Sequence, residues 1–206
     1  AALTHPSHPH LLMCCVCARA GGVARRLVEQ CKALEQAETA APAARALARV
    51  AGWRARADRI FGTPHSYGYA LLAPLDESPR ALALIVSALD KALEDPALTD
   101  DLAFVIAALH TARGEGHHLL VDAGTVPALL RHLPHHASMG VAIACECISS
   151  CNEEGRDALC TNNAAPLLLA AAMGTDDATA AMAFAMSLGN LAAHPDARAV
   201  LATLAE

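Results

Sequence analysis

Val121-Asp122-Ala123-Gly124-Thr125-Val126-Pro127-Ala128-Leu129-Leu130-Arg131-His132-Leu133 is the stretch on which the reading of this chain turns. Val126, Leu129, Leu130 and Leu133 stand at i, i+3, i+4 and i+7, the apolar stripe of an amphipathic helix, and Gly124 and Pro127 punctuate its start. The stripe recurs. A shift of 39 residues gives Ala165, Leu168, Leu169 and Ala172, with Pro166 under Pro127 and Asn163 under Gly124. Asn is the residue that, after Gly, most readily accepts a left-handed backbone, so the turn is expected to survive the exchange. A shift of 44 the other way gives Leu82, Ile85, Val86 and Leu89, and a shift of 102 gives Ala24, Leu27, Val28 and Cys31, with Gly22 under Gly124.

The segment after each stripe repeats as well. Leu102, Val105, Ile106 and Leu109 map after 39 residues onto Val141, Ala144, Cys145 and Ile148, and after 40 more onto Ala181, Phe184, Ala185 and Leu188. A fainter copy runs Leu47-Ala48-Arg49-Val50-Ala51, matching Leu188-Gly189-Asn190-Leu191-Ala192. Spacings of 39 to 44 residues suit a helical repeat of two or three helices. The clearest unit predicts a short helix near 116–122, a medium helix near 126–133 and a longer helix near 137–150. A single unit cannot bury its own apolar face, so the units must stack into a rod. An irregular bundle would not need Gly and Pro to recur in register.

Composition points the same way. The 206 residues are 54% hydrophobic but only 3% aromatic, so the apolar content rests on Ala, Leu and Val, and Ala and Leu are strong helix formers. A net charge of −6 with 15 Lys and Arg argues against a phosphate-tracking surface, so no nucleic-acid partner is expected. The longest apolar runs, Leu11 to Ala18 and Ala164 to Gly174, fall short of the ~20 residues that cross a bilayer, so no membrane span is expected. Eight Cys, most of them in Ala-rich helical stretches, read as buried thiols of a reducing compartment, which predicts a cytoplasmic location.

Val121-Asp122-Ala123-Gly124-Thr125-Val126-Pro127-Ala128-Leu129-Leu130, with the later helix end Leu188-Gly189-Asn190-Leu191-Ala192, resembles the armadillo repeat. The likeness covers residues 79–206 well and the amino-terminal part weakly. It implies an all-α, right-handed α-solenoid of about four armadillo-like repeats, the last one truncated. The domain organisation expected is one continuous array: a degenerate helical repeat over 1–57, an insertion loop over 58–78 and the clear repeats over 79–206. The last unit runs on only through Asp196–Ala205, and its apolar end is expected to be covered by further chain or a partner subunit.

The resemblance also implies that the longest helix of each repeat lines a concave groove for extended peptides or partner proteins. In peptide-binding members of the family an Asn near the end of that helix holds the peptide backbone, and a Trp one turn earlier packs on its side chains. Carried over by register, the Asn position falls on Arg49, Thr111, Ser150 and Asn190, and the Trp position on Arg45, Ala107, Glu146 and Met186. Only Asn190 matches the motif, and Arg45 and Arg49 would repel a basic peptide, so a receptor for basic nuclear-import signals is not expected. Thr111, Glu146, Ser150, Met186 and Asn190 are the groove candidates. Met186 could instead fill a core gap, and Asn190 could cap its own helix.

The insertion carries Tyr67 and Tyr69 in a turn-rich run, just after the only Trp, Trp53. Loop aromatics serve as interface anchors, which makes the two Tyr a second protein-binding candidate; they could equally pin the loop to the rod. Cys14, Cys15 and Cys17, preceded by His5, His8 and His10, satisfy a CxxC pattern, but a zinc site needs a second ligand pair at a set distance, so no metal is expected. His110, His117, His118, His132, His135 and His136 crowd one repeat and read as solvent-facing loop residues.

No GxSxG, GxxxxGKS/T, HExxH or strand-linked GxGxxG occurs, and neither catalytic residue nor cofactor is expected. The expected function is a non-catalytic scaffold or adaptor binding a protein segment. The alternative is a structural subunit of a larger cytoskeletal or ciliary complex, and a Cys/His metal- or thiol-dependent enzyme ranks behind both.

Overall fold

A computed structural model of the chain describes residues 25–51, 75, 78–112, 117–151 and 153–204. Tyr67, Tyr69 and the amino-terminal Cys and His residues lie outside these. Among the described residues all regular structure is helical: α1 (25–33), α2 (Ala37–Ala51), α3 (Pro79–Lys91), α4 (Pro96–Ala112), α5 (His117–Asp122), α6 (Thr125–His132), α7 (Met139–Cys151), α8 (Glu153–Thr161), α9 (Ala164–Gly174), α10 (Ala178–Leu191) and α11 (Pro195–Leu204). The helices expected near 116–122, 126–133 and 137–150 are α5, α6 and α7.

Local chemistry sets the boundaries. Ser78 caps α3 by accepting from the Ala81 N–H at 3.4 Å, with Pro79 in the first turn. Asp177 caps α10 by accepting from the Thr179 and Ala180 N–H groups at 2.8 and 3.2 Å. Between α5 and α6 the chain turns through Gly124 in the left-handed region, φ 84°, and the Thr125 hydroxyl donates back to the Leu120 carbonyl at 2.6 Å. Asn163 takes the same place between α8 and α9 with φ 52°, as its alignment with Gly124 predicts.

Each full unit is thus a short first helix, a second helix and a long third helix, the arrangement of an armadillo-like repeat, and the fold is an all-α solenoid. The third helices lie side by side in the order α2, α4, α7, α10. Among the second helices, α3 packs on α6. Among the described residues Phe104 of α4 and Phe184 of α10 are the largest fully buried side chains, and burial of each contributes roughly 1.5–3 kcal/mol.

The sequence stripes match the core in the inner units: Leu102, Val105, Ile106, Leu109, Val141, Ala144, Cys145 and Ile148 are all buried. The last copy departs. Phe184 is buried, but Ala181 and Leu188 are half-buried and Ala185 is exposed. Their counterparts belong to α4 and α7, each of which packs against two other third helices, whereas among the described residues α10 packs against one, α7. Burial holds the Cys31 and Cys145 thiols at about 12, which marks both as packing residues rather than nucleophiles.

Two of the crowded histidines are not solvent-facing as expected: His110 and His132 are buried. The His132 Nε2–H donates to the Leu89 carbonyl at 2.8 Å, and Nδ1 lies 3.3 Å from the Thr99 hydroxyl. A carbonyl can only accept, so this contact assigns the Nε2–H tautomer. Beside it Arg131 pairs with Asp90, and the His136 Nε2–H donates to the Leu93 carbonyl at 2.7 Å. These contacts join the third unit to the second.

Burial, partly offset by the Leu89 hydrogen bond, lowers the His132 pKa below its usual 6.5. The unfolded chain therefore takes up this proton at a higher pH than the folded one does, and stability is lost as pH falls below about 6.5 until the folded pKa is passed. Glu146, whose pKa burial raises, acts in the opposite sense, so the effect is isolated by comparison with His132→Gln, whose amide can still donate to Leu89. Urea midpoints measured from pH 7 to 5 should fall more steeply in the wild type than in the variant, and parallel curves would refute the assignment.

Glycine answers a second packing demand where α4 and α7 meet. The Gly140 N–H donates to the Asp100 carboxylate at 2.7 Å, and a Cβ on Gly140 would sit 2.5 Å from that oxygen and 2.7 Å from the Asp100 carbonyl oxygen. A Cβ on Gly189, in exposed α10, would meet nothing within 4 Å. Gly140→Ala should cost about 1–3 kcal/mol of unfolding free energy through forced displacement, whereas Gly189→Ala should gain about 0.5–1 kcal/mol through helix propensity. Chemical denaturation of the two variants checks the opposite signs.

Candidate functional site

The row of third helices fixes the register of the candidate surface. On α2 the series Glu38, Pro42, Arg45 and Arg49 is exposed, and its counterparts are Asp100, Phe104, Ala107 and Thr111 on α4, Met139, Ile143, Glu146 and Ser150 on α7, and Thr179, Ala183, Met186 and Asn190 on α10. Spacings of i, i+4, i+7 and i+11 keep each series on one helix face. Accessibility along the row is uneven. Phe104 and Ala107 are fully buried, so α4 offers no side chain at the expected Trp position. Thr111 is the penultimate residue of α4, and its side chain lies outside the described set.

On α7 and α10 the row is accessible. Ser150 is exposed, Glu146 and Asn190 are half-buried, and Met186 is 39% exposed, so Met186 is not filling a core gap. The Asn190 side chain reaches away from its own helix: its Nδ2 donates across to the Ser149 hydroxyl of α7 at 3.1 Å. The Ser149 hydroxyl in turn donates to the Glu146 carbonyl at 2.9 Å, and Arg156 from α8 donates to the Ser149 carbonyl at 3.3 Å. One amide hydrogen of Asn190 is thereby fixed, and the side chain retains a second N–H and a carbonyl oxygen, the complementary pair that a peptide backbone presents.

Ser149 was not a sequence candidate. A small polar residue next to the Asn-position Ser150 reads as ordinary helix, and only its meeting with Asn190, 41 residues away, gives it a role. The other departure concerns Arg45. Its Nε lies 3.8 Å from the carboxylate of Asp101, a residue of α4 whose side chain is 3% exposed. The Arg45 charge is therefore partly neutralised from below, whereas Arg49 stands one turn further on.

The electrostatics of the α7–α10 patch centre on Glu146. Burial raises its pKa above the usual 4.5, opposed by hydrogen bonds from Cys147 and Ser150; the Cys147 thiol lies 3.7 Å from the carboxylate. A carboxylate held partly out of water gains most from a cation laid against it. The Met186 and Met182 side chains of α10, 39% and 42% exposed, add an adaptable apolar surface.

No family model matches the chain, and no curated protein matches it. Solved structures do. An engineered protein superposes with a TM-score of 0.50 at 20% identity, covering 83% of this chain and 83% of that one. A designed armadillo repeat protein in complex with the peptide (KR)4 gives 0.46 at 18% identity, covering 81% and 82%. A computationally designed armadillo repeat protein for modular peptide recognition gives 0.47 at 16% identity, with the same coverage. At such identities the likeness concerns the fold alone. No helix among the described residues is long and apolar enough to cross a membrane.

A raised carboxyl pKa means that the folded chain holds the Glu146 proton more tightly than the unfolded chain, so stability rises as pH falls through the folded value toward 4.5. Glu146→Gln should remove that slope and raise the thermal midpoint at pH 7, by roughly 2–4 °C for each kcal/mol of relieved desolvation. Calorimetry at pH 7 and 5 tests this, and a lowered midpoint at pH 7 would show that the carboxylate is stabilising instead.

Proposed function

We propose that this chain is a non-catalytic scaffold that binds an extended segment of a partner protein across α7 and α10, with Glu146, Ser150, Met186 and Asn190 in contact and Thr111 continuing the row. The observation that carries the reading is the Asn190–Ser149 bond, which ties a half-buried side-chain amide of α10 to α7, on the helices that carry the half-buried Glu146 and the exposed Met186. Asn190 supplies the donor and acceptor for a backbone, Met186 the apolar contact and Glu146 the preference for a cationic side chain. The preferred segment is therefore an apolar residue near a Lys or Arg. A second basic residue in the segment is disfavoured toward α2, where Arg49 is exposed.

Selection from a random peptide library on the purified chain tests the reading. Enriched peptides should carry the apolar-plus-basic pattern, and the combined Glu146→Ala, Met186→Ala, Asn190→Ala variant should bind them at least about tenfold more weakly, the loss of one modest hot spot. Undiminished binding by a folded variant would remove the function from this surface. A second reading, a subunit built into a larger assembly, is favoured by the exposed apolar residues Met173, Met182 and Leu204 on α9, α10 and α11. It predicts no enriched peptide and stable co-purification with fixed stoichiometry.

A further inference from the structure

The outer face of α10 has the composition of an interior surface. Ala181, Met182, Ala185, Leu188 and Gly189 stand at i, i+1, i+4, i+7 and i+8, so they share one side of the helix. Met182, Ala185 and Gly189 are exposed, and Ala181 and Leu188 are half-buried. Their counterparts in α7, from Val141 to Ser149, and in α4, from Leu102 to His110, are buried at every position. What reaches this face in the inner units is a third helix: Ser149, the counterpart of Gly189, accepts from Asn190 of α10 at 3.1 Å. α10 contains no charged residue, whereas α2 carries Glu38, Arg45 and Arg49, α4 carries Asp100 and Asp101, and α7 carries Glu146. A terminal unit that meets only water needs a polar outer face. The exposed large hydrophobic side chains among the described residues, Met173, Met182, Met186 and Leu204, are likewise confined to α9, α10 and α11.

We infer that α10 pairs with α10 of a second copy of this chain, the two helices antiparallel about a two-fold axis near Ala185. The second copy then supplies to α10 the cover that α7 supplies to α4 and α10 supplies to α7. The chemistry of the face selects this occupant. Being uncharged, it meets its own copy without like-charge repulsion and offers nothing to a partner chosen by opposite charge. It is also complementary to itself in size. With Ala185 at the axis, Met182 of each copy lies over Leu188 and Gly189 of the other, and Gly189 has room to receive it, because a Cβ there would meet nothing within 4 Å. Ala181, Ala185 and Gly189 are small enough to let the backbones approach to about 8 Å, the close end of ordinary helix packing. A face that pairs with itself closes at two copies instead of growing a filament. The inference does not rest on peptide binding along α7 and α10: Met186 and Asn190 lie about 100° and 140° round the helix from Ala185, outside the pair.

Sedimentation equilibrium of the whole chain is the test. A monomer–dimer equilibrium should appear with a Kd on the order of 10 µM, the affinity of a small apolar interface. Ala185→Glu and Met182→Glu, both at exposed positions, should each weaken it at least about tenfold by burying an unpaired carboxylate, with the helical circular dichroism unchanged. Met182→Glu keeps the test decisive if Ala185→Glu disturbs folding. Ala185→Lys should also be monomeric alone, whereas an equimolar mixture of Ala185→Glu and Ala185→Lys should regain the dimer, because the axis brings the two opposite charges together. A chain that stays monomeric up to about 300 µM would assign the face to another protein and overturn the inference. An oligomer larger than two, a dimer indifferent to both glutamate variants, or a mixture that fails to associate would overturn it as well.

Discussion

Side-by-side packing of the long third helices is the constraint on which the rest of this molecule depends. Residues 101–110 of α4 are buried without interruption, although a lone amphipathic helix would expose one face. Such a helix can exist only between neighbours, and here they are α2 and α7. The alanine-rich composition follows from this demand. Ala103, Ala107, Ala108, Ala142 and Ala144 are fully buried at helix contacts where larger side chains would hold the backbones apart, and at Gly140 even a methyl group would collide with Asp100. A rod of this kind is stabilised chiefly through nearest-neighbour interfaces. The exposure of Ala185 on α10, whose counterparts Ile106 and Cys145 are buried, shows the same rule at the edge of the row.

Apolar packing makes the units alike, and polar contacts make the junctions individual. Arg45 with Asp101 joins α2 to α4, His132 with Leu89 joins α6 to α3, Asn190 with Ser149 joins α10 to α7, and His194 with Asp157 lies 3.1 Å apart near the end of the rod. Neither of the first two pairs is repeated at its register position in the next unit, where Ala107 and Gly140, and Ala171 and Leu133, stand instead. Their individual contributions to stability are modest, about 0.5–1.5 kcal/mol for a neutral hydrogen bond and less for an exposed ion pair. Their weight lies in orientation: each fixes where one side chain points at a junction whose apolar contacts would tolerate several arrangements.

This division explains what the sequence made legible. The stripes of α6 and α9, the left-handed positions at Gly124 and Asn163, and the three-helix unit follow from local periodicity and turn chemistry, which a single unit already contains. The burial of His132 does not, because it depends on a carbonyl 43 residues earlier in the chain. Read locally, His132 ends a helix beside two more histidines and belongs at the surface; read in the solenoid, it meets the end of α3. The same non-local cause hides Ser149 and buries Ala107, and it is also why a repeat copy predicts Ala185 to be core. Glu146, Ser150, Met186 and Asn190 were reached by register alone. The character of that patch depends on contacts with the adjacent helix, which register does not report.

Asn190 shows how surface chemistry and the stacking of units are linked. Its amide is aimed by Ser149, whose hydroxyl donates to the Glu146 carbonyl and whose carbonyl accepts from Arg156 of the following short helix. Three elements, α7, α8 and α10, therefore determine the direction of one side chain. A small rotation between the third and fourth units lengthens the Asn190–Ser149 bond before it disturbs the broad apolar contact beneath, because a hydrogen bond weakens steeply with distance and angle while packed side chains adjust by rotamer. The geometry of this patch is thus more sensitive to the curvature of the rod than the core is.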